Sequence, residues 1–180
     1  MGEAERNARR ILLFTGNGKG KSTAAFGMLA RALGHGMRAR VIQFVKSDGE
    51  VGEQKFFSAL PLVEWSQHGR GFLPRDPDSP QMADHREAAA EGLSAALAAL
   101  LDPDCDFVLL DEVCFALSRG LIESAPLISG IKGAADGKIV VLTGRNAPQE
   151  LLDLADTATE MTMLKHGYEA GIPAQKGVED

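Results

Sequence analysis

The chain of 180 residues is long enough for one domain with a full core and too short for two. Its 44% hydrophobic and 24% charged residues give a globular balance that excludes general disorder. A formal net charge of −6 argues against nucleic acid as a partner, because a phosphate-backbone footprint needs clustered cations, and no apolar run reaches the length of a transmembrane helix, which argues against a membrane.

Met1–Arg10 is a polar N-terminal segment without the apolar stretch of a signal peptide, so a cytoplasmic protein is expected. A first strand is expected over Ile11–Thr15. It leads into Thr15-Gly-Asn-Gly-Lys-Gly-Lys-Ser-Thr23, where Gly16, Gly18 and Gly20 let the backbone curl. Successive N–H groups, those of Asn17 and Lys19 included, then face a polyphosphate at the start of a helix. Lys21 adds a positive charge, and Ser22 or Thr23 offers a hydroxyl to Mg²⁺. The usual pattern G-x-x-x-x-G-K-[ST] would put its first glycine at Thr15. Glycine stands at Gly16 instead, so the loop is one residue tighter than the pattern.

Lys21–Leu33 reads as an amphipathic helix with Ala25, Met28, Leu29 and Ala32 on one face and Gly34 as its stop. A strand is expected at Arg40–Val45 and a further candidate at Leu62–Ser66. Gly69–Pro80 contains three prolines and two glycines, which excludes regular structure and makes it a candidate functional loop. Asp84–Leu101 follows as a helix whose core stripe is Leu93, Ala96, Leu97, Leu100 and Leu101. Cys105 and Cys114 form no C-x-x-C pair and read as small buried hydrophobes of a reducing compartment.

Phe107–Asp111 is an apolar strand ending in Asp111-Glu112, a Walker B-like element that holds Mg²⁺ directly or through water. Glu112 has a second reading as a base that activates water. Ile139–Thr143 is the next strand, and Arg145 after it either contacts phosphate or is an ordinary surface arginine. A helix over Ala147–Leu154, with Pro148 in its first turn, and a strand over Glu160–Leu164 complete the elements. Gly167–Asp180 reads as a coil-like tail. His35, His68, His85 and His166 match no metal spacing. Alternation of strands and helices implies an α/β fold, a single P-loop domain over residues 11–166 with a mainly parallel sheet flanked by helices. A P-loop ATPase or small-molecule kinase, and a nucleotide-dependent regulator, both fit these pieces.

Further motifs narrow the choice. Gly-Asn-Gly-Lys-Gly-Lys-Ser-Thr runs on into AAFGMLARALGHGMRARVIQFVKSDGEVGEQ, and VLLDE at Val108–Glu112, VVLTGR at Val140–Arg145, ELLDLADTATEM at Glu150–Met161 and KHGYEAGIPAQKGVE at Lys165–Glu179 follow. Together they resemble the ATP:corrinoid adenosyltransferases with a P-loop, RecA-like fold. The resemblance implies that the Co(I) of a corrinoid attacks the 5′ carbon of ATP and inorganic triphosphate leaves, giving adenosylcobalamin or an adenosylated precursor. It implies a nucleotide reversed along a tighter loop, with Lys19, Lys21, Mg²⁺ and Arg145 neutralising the triphosphate and Ser22, Asp111 and Glu112 at the metal. Co(I) carries no proton, so no general base is required. A homodimer is also implied, and because the sequence carries no flavin or iron–sulfur motif, a separate reductase is expected to supply Co(I). Members carry a Phe-x-Trp pair against the lower cobalt ligand; Phe72 matches the first position and Pro74 stands at the second. The family's longer N-terminal segment, which covers the corrinoid across the dimer, is reduced here to about ten polar residues before the first strand.

Overall fold

Strands that are apolar on both faces must be covered on both, and Phe107–Asp111 is buried at every position, the mark of a central parallel strand. The computed structural model describes residues 8–47, 51–76 and 78–178. Its strands are β1 (Arg10–Thr15), β2 (Ala39–Phe44), β3 (Val63–His68), β4 (Phe107–Asp111), β5 (Ile139–Thr143) and β6 (Thr157–Glu160). They form one sheet in the order β3-β2-β4-β5-β1-β6, with every pairing parallel. Helices α1 (Lys21–Gly34) and α2 (Gly52–Phe57) cover one face, packing on Val41, Phe107, Leu109 and Val141. Helices α3 (Met82–Leu101), α4 (Val113–Ser118), α5 (Ser124–Gly133) and α6 (Gln149–Leu154) cover the other, over Ile42, Phe44, Val108, Leu110, Val140 and Leu142. The α/β expectation holds. No helix among the described residues is long and apolar enough to cross a membrane.

The last strand lies earlier than the Glu160–Leu164 expectation. β6 pairs with β1 from Leu12↔Thr157 to Thr15↔Glu160, where β1 ends, so Met161–Leu164 has no strand left to pair with. Three short helices, α2, α4 and α5, escape periodicity because six-residue segments and a glycine-containing one carry too few turns to register. Pro148 is the N-cap of α6 with ψ 150, one residue before the helix rather than inside it. The first helix includes Gly34 and turns at Gly36, φ 75. On α3 the buried face is Ala88, Ala89, Gly92, Ala96, Ala99 and Leu100. Leu101, expected in the core, is 68% exposed, because it lies a third of a turn past Leu100.

Cys105 and Cys114 are buried free thiols. Burial, then the neighbouring Glu112, pushes the Cys114 thiol up to about 12, which makes it inert. At the ends, residues 1–7 of the polar N-terminal segment and residues 179–180 of the tail lie outside the described residues. Gly167–Ala170 forms a 3₁₀ turn within the segment read as coil.

Candidate active site

Strand order places the carboxyl ends of β1, β5 and β4 side by side, with the phosphate loop after the first and Asp111-Glu112 after the last. The loop curls where the sequence allows it: Gly16 and Gly20 have φ 94 and 114, and a Cβ on Gly16 or Gly18 would lie 2.5 or 2.7 Å from the Met161 carbonyl oxygen. Only glycine permits that approach. The chain leaving β6 clasps the loop, the Met161 N–H donating to the Thr15 carbonyl at 2.8 Å and the Gly18 N–H to the Met161 carbonyl at 2.7 Å. Lys21, 7% exposed, folds back so that its Nζ donates to the Gly18 carbonyl at 2.8 Å. Burial, assisted by Arg145 and opposed by Glu112 and Asp111, holds its amine below the usual lysine range. Lys19 is exposed, and its Nζ donates to the Val178 carbonyl at 2.5 Å. Asn17 and Thr23 are exposed.

Asp111 is fully buried and its two oxygens face different ways. Oδ1 accepts from the hydroxyls of Ser22 and Thr143, each at 2.7 Å. Oδ2 accepts from the Gln43 amide at 2.9 Å and from Lys46 Nζ at 3.2 Å. Burial opposes the charge, but Lys46 and the hydrogen bonds from Thr143, Ser22 and Gln43 outweigh it and hold the carboxyl below its usual range. Four donors fill the acceptor positions of one carboxylate. Glu112 differs: it sits at φ 61, its N–H donates to the Thr143 hydroxyl at 2.9 Å, and burial, then Asp111, pushes its carboxyl up.

Lys46 reaches Asp111 by an unusual turn. Its N–H donates to the Phe44 carbonyl at 2.7 Å around Val45, whose φ is 69. That is a γ-turn centred on a β-branched residue, a strained arrangement. Gly69 packs on the same turn so closely that a Cβ there would lie 2.1 Å from Val45 backbone atoms, and the Gly71 N–H donates to the Val45 carbonyl at 3.1 Å.

Beyond Lys46 opens an apolar cavity of about 640 Å³, walled by Val45, Lys46, Val51, Gln67, Leu73 and Phe115 among others. Phe72 and Pro74 line it from the Gly69–Pro80 loop, which has no helix or strand among its described residues. Phe72 is fully exposed. Lys21, Ser22, Asp111, Glu112 and Arg145 thus converge at one sheet edge, Arg145 being exposed yet close enough to act on both Lys21 and Glu112. Phe72 lies on the cavity, on the far side of Lys46. Sequence reasoning missed Gln43, Lys46, Gln67 and Thr143. The available signal was a glutamine inside the apolar run Arg40–Val45, a polar residue where a buried strand wants none. No group of three or more His, Cys, Asp or Glu among the described residues is placed to hold a metal ion.

The family model for ATP:corrinoid adenosyltransferase BtuR/CobO/CobP matches residues 7–179. The corrinoid adenosyltransferase of Pseudomonas aeruginosa is 45% identical over 176 residues, which is 97% of this chain and 85% of that protein. Corrinoid adenosyltransferase CobA of Salmonella typhimurium is 35% identical over 183 aligned positions, 99% of this chain and 89% of the relative. The corrinoid adenosyltransferase of Escherichia coli K12 is 33% identical, with 99% and 89% covered.

Proposed function

This chain belongs to the ATP:corrinoid adenosyltransferase family and is an enzyme of adenosyl transfer from ATP to a corrinoid, and from that premise we propose how its residues divide the work. One observation carries the assignment: Lys46 walls the apolar cavity and also bonds the carboxylate behind the phosphate loop. A triphosphate in the loop would therefore have its nucleoside end beside a cavity suited to one face of a macrocycle.

In the transfer, the electron pair of Co(I) forms the cobalt–carbon bond to the 5′ carbon. The bond from that carbon to oxygen breaks, and triphosphate leaves with the pair. Cobalt ends as Co(III), and no proton moves. The protein must align the two reactants, neutralise charge on the leaving group and exclude water. Lys21 and Arg145 neutralise, while the backbone of Gly16, Asn17, Gly18, Lys19 and Gly20 forms the cradle, the Gly18 N–H being committed to Met161.

The residues fit Mg²⁺, which binds through one or two carboxylates and substrate phosphates rather than a dedicated protein cage. Ser22 can present an oxygen lone pair while its O–H goes on donating to Asp111. We assign Ser22 and Glu112 as the nearer ligands and Asp111, its acceptor positions already filled, as a partner through Ser22 or a water. Bound there, Mg²⁺ would offset charge on the departing triphosphate. Phe72 packs on the corrinoid. The transfer itself consumes no electrons, so Co(I) comes from a separate reductase. A homodimer, which rests on the resemblance, and a cytoplasmic location, which rests on two buried thiols left unpaired, complete the proposal.

Anaerobic incubation with chemically reduced cobalamin, ATP and Mg²⁺ tests the reading. The expected result is a cobalt–carbon bond in the visible spectrum with one inorganic triphosphate per product. Steady orthophosphate or ADP release without corrinoid would overturn it in favour of an ATPase or kinase.

A further inference from the structure

A row of amides crosses the sheet beneath the site. Gln67 on β3, Gln43 on β2 and Asp111 on β4 are register partners, Gln67 opposite Gln43 and Gln43 opposite Asp111. Side chains of parallel neighbours in register share a face, and these touch. The Gln43 amide donates to Asp111 Oδ2 at 2.9 Å, the Gln67 amide donates to the Gln43 carbonyl oxygen at 2.9 Å, and Gln54 on α2 donates to the Gln67 carbonyl oxygen at 3.3 Å. The direction of the row is fixed at one end. An ionised carboxylate only accepts, so Gln43 must turn its NH₂ to Asp111, which leaves its oxygen for Gln67, and the same choice passes on to Gln54.

Gln43 is fully buried, on the face that carries Val41, Leu109 and Val141. An aliphatic residue there would avoid the desolvation of an amide. The row has a distinct placement instead: Gln67 walls the apolar cavity, while Asp111 Oδ1 holds Ser22 and Thr143 on the phosphate side. We propose that Gln67 and Gln43 are positioning residues that couple occupancy of the corrinoid cavity to occupancy of the phosphate loop through Asp111. The inference rests on the two-site reading given above. A ligand packed on Gln67 orders the row from one end, and a metal–triphosphate at Ser22 orders it from the other. Whichever binds second meets a row already ordered, so each tightens the other, and by linkage the two factors are equal. Lys46 touches the same oxygen by charge, without the directional amides, and Gln67→Met leaves it in place.

The test is equilibrium binding on the full chain. The dissociation constant of ATP with Mg²⁺ is measured with and without saturating hydroxocobalamin, and the reverse pair is measured too. The native protein should show mutual tightening of at least about fivefold, the lower range of site coupling. Gln67→Met should reduce the factor to within about twofold of unity. A purely structural role would weaken both affinities and leave their mutual factor intact. Gln54→Met, at the half-buried outer end of the row, should lower the factor partway, and it carries the test if Gln67→Met does not fold. An unchanged factor in the variant measured, or no tightening in the native protein, overturns the proposal. The readout needs no turnover. Coupling without an adenosylated product would sink the functional reading and keep the row, while product without coupling would do the reverse.

Discussion

The two halves of the site are built from opposite materials. Around the phosphate loop, Lys21, Ser22, Thr143 and Asp111 are each tied to a named partner, and Asp111 is wholly out of water. Around the cavity, the walls are mostly apolar, the loop is irregular, and Phe72 stands fully exposed. The difference suits what each half is proposed to hold. Charge developing on a small leaving group is stabilised by donors that do not have to move. The broad face of a macrocycle is accepted by surface burial, which is non-directional.

Each prediction strains one side of that contrast. The largest effect belongs to Lys21. Lys21→Ala should lower turnover by about two to three decades, the scale for one preorganised electrostatic contact. Turnover within about threefold of the native rate would remove Lys21 from the phosphate half.

Glu112→Gln should follow, with a loss of about 10- to 100-fold in Mg²⁺ dependence or rate. Its carboxyl is raised by burial and then by Asp111, so it stays protonated at a higher pH than an ordinary carboxyl. The proton competes with the metal, and Mg²⁺ affinity should fall as pH drops through that raised value. In Glu112→Gln this acid limb should vanish. A titration showing the same limb in both proteins would assign it to another group.

On the cavity side, Phe72→Ala should cost about three- to tenfold, the size of a lost aromatic contact, when Co(II) must be reduced on the enzyme, and less when Co(I) is supplied ready-made. Equal losses in the two assays, with no gain from Pro74→Trp, would reduce Phe72 to an anchor of its loop.

The smallest effect is expected at Lys19. Its amine is held by the Val178 carbonyl rather than folded into the loop as that of Lys21 is. Lys19→Ala should stay within about threefold of native turnover, below the loss of a preorganised donor. A loss as deep as that of Lys21→Ala would place both amines on the triphosphate.

The contrast also explains what could be read from residues alone. The phosphate half was legible because its geometry is imposed locally: glycines between a strand and a helix, then a lysine and a hydroxyl, mean one thing in that order. Phe107–Asp111 was legible because a strand buried on both faces is a continuous apolar run. Of the cavity half only the Gly69–Pro80 loop with Phe72 was legible, since the other walls come from the segment just after β2, from β3 and from α4, far apart in sequence. Gln67 acquires meaning only when register sets Gln43 between it and Asp111, and Lys46 only through the turn at Val45. Leu101 failed because a helical stripe wide enough to include it is wider than the face the sheet covers. Met161–Leu164 failed because strand propensity does not say where the partner strand ends.

The central claim is that ATP is held here as an adenosyl donor with triphosphate as its leaving group. ATP labelled with ¹³C at the 5′ carbon, turned over anaerobically with Co(I) corrinoid and followed by NMR, tests it directly. The labelled carbon should shift to a cobalt-bound position while the phosphorus appears as a single inorganic triphosphate. A labelled carbon still joined to oxygen, in ADP or AMP with phosphate released, would contradict it.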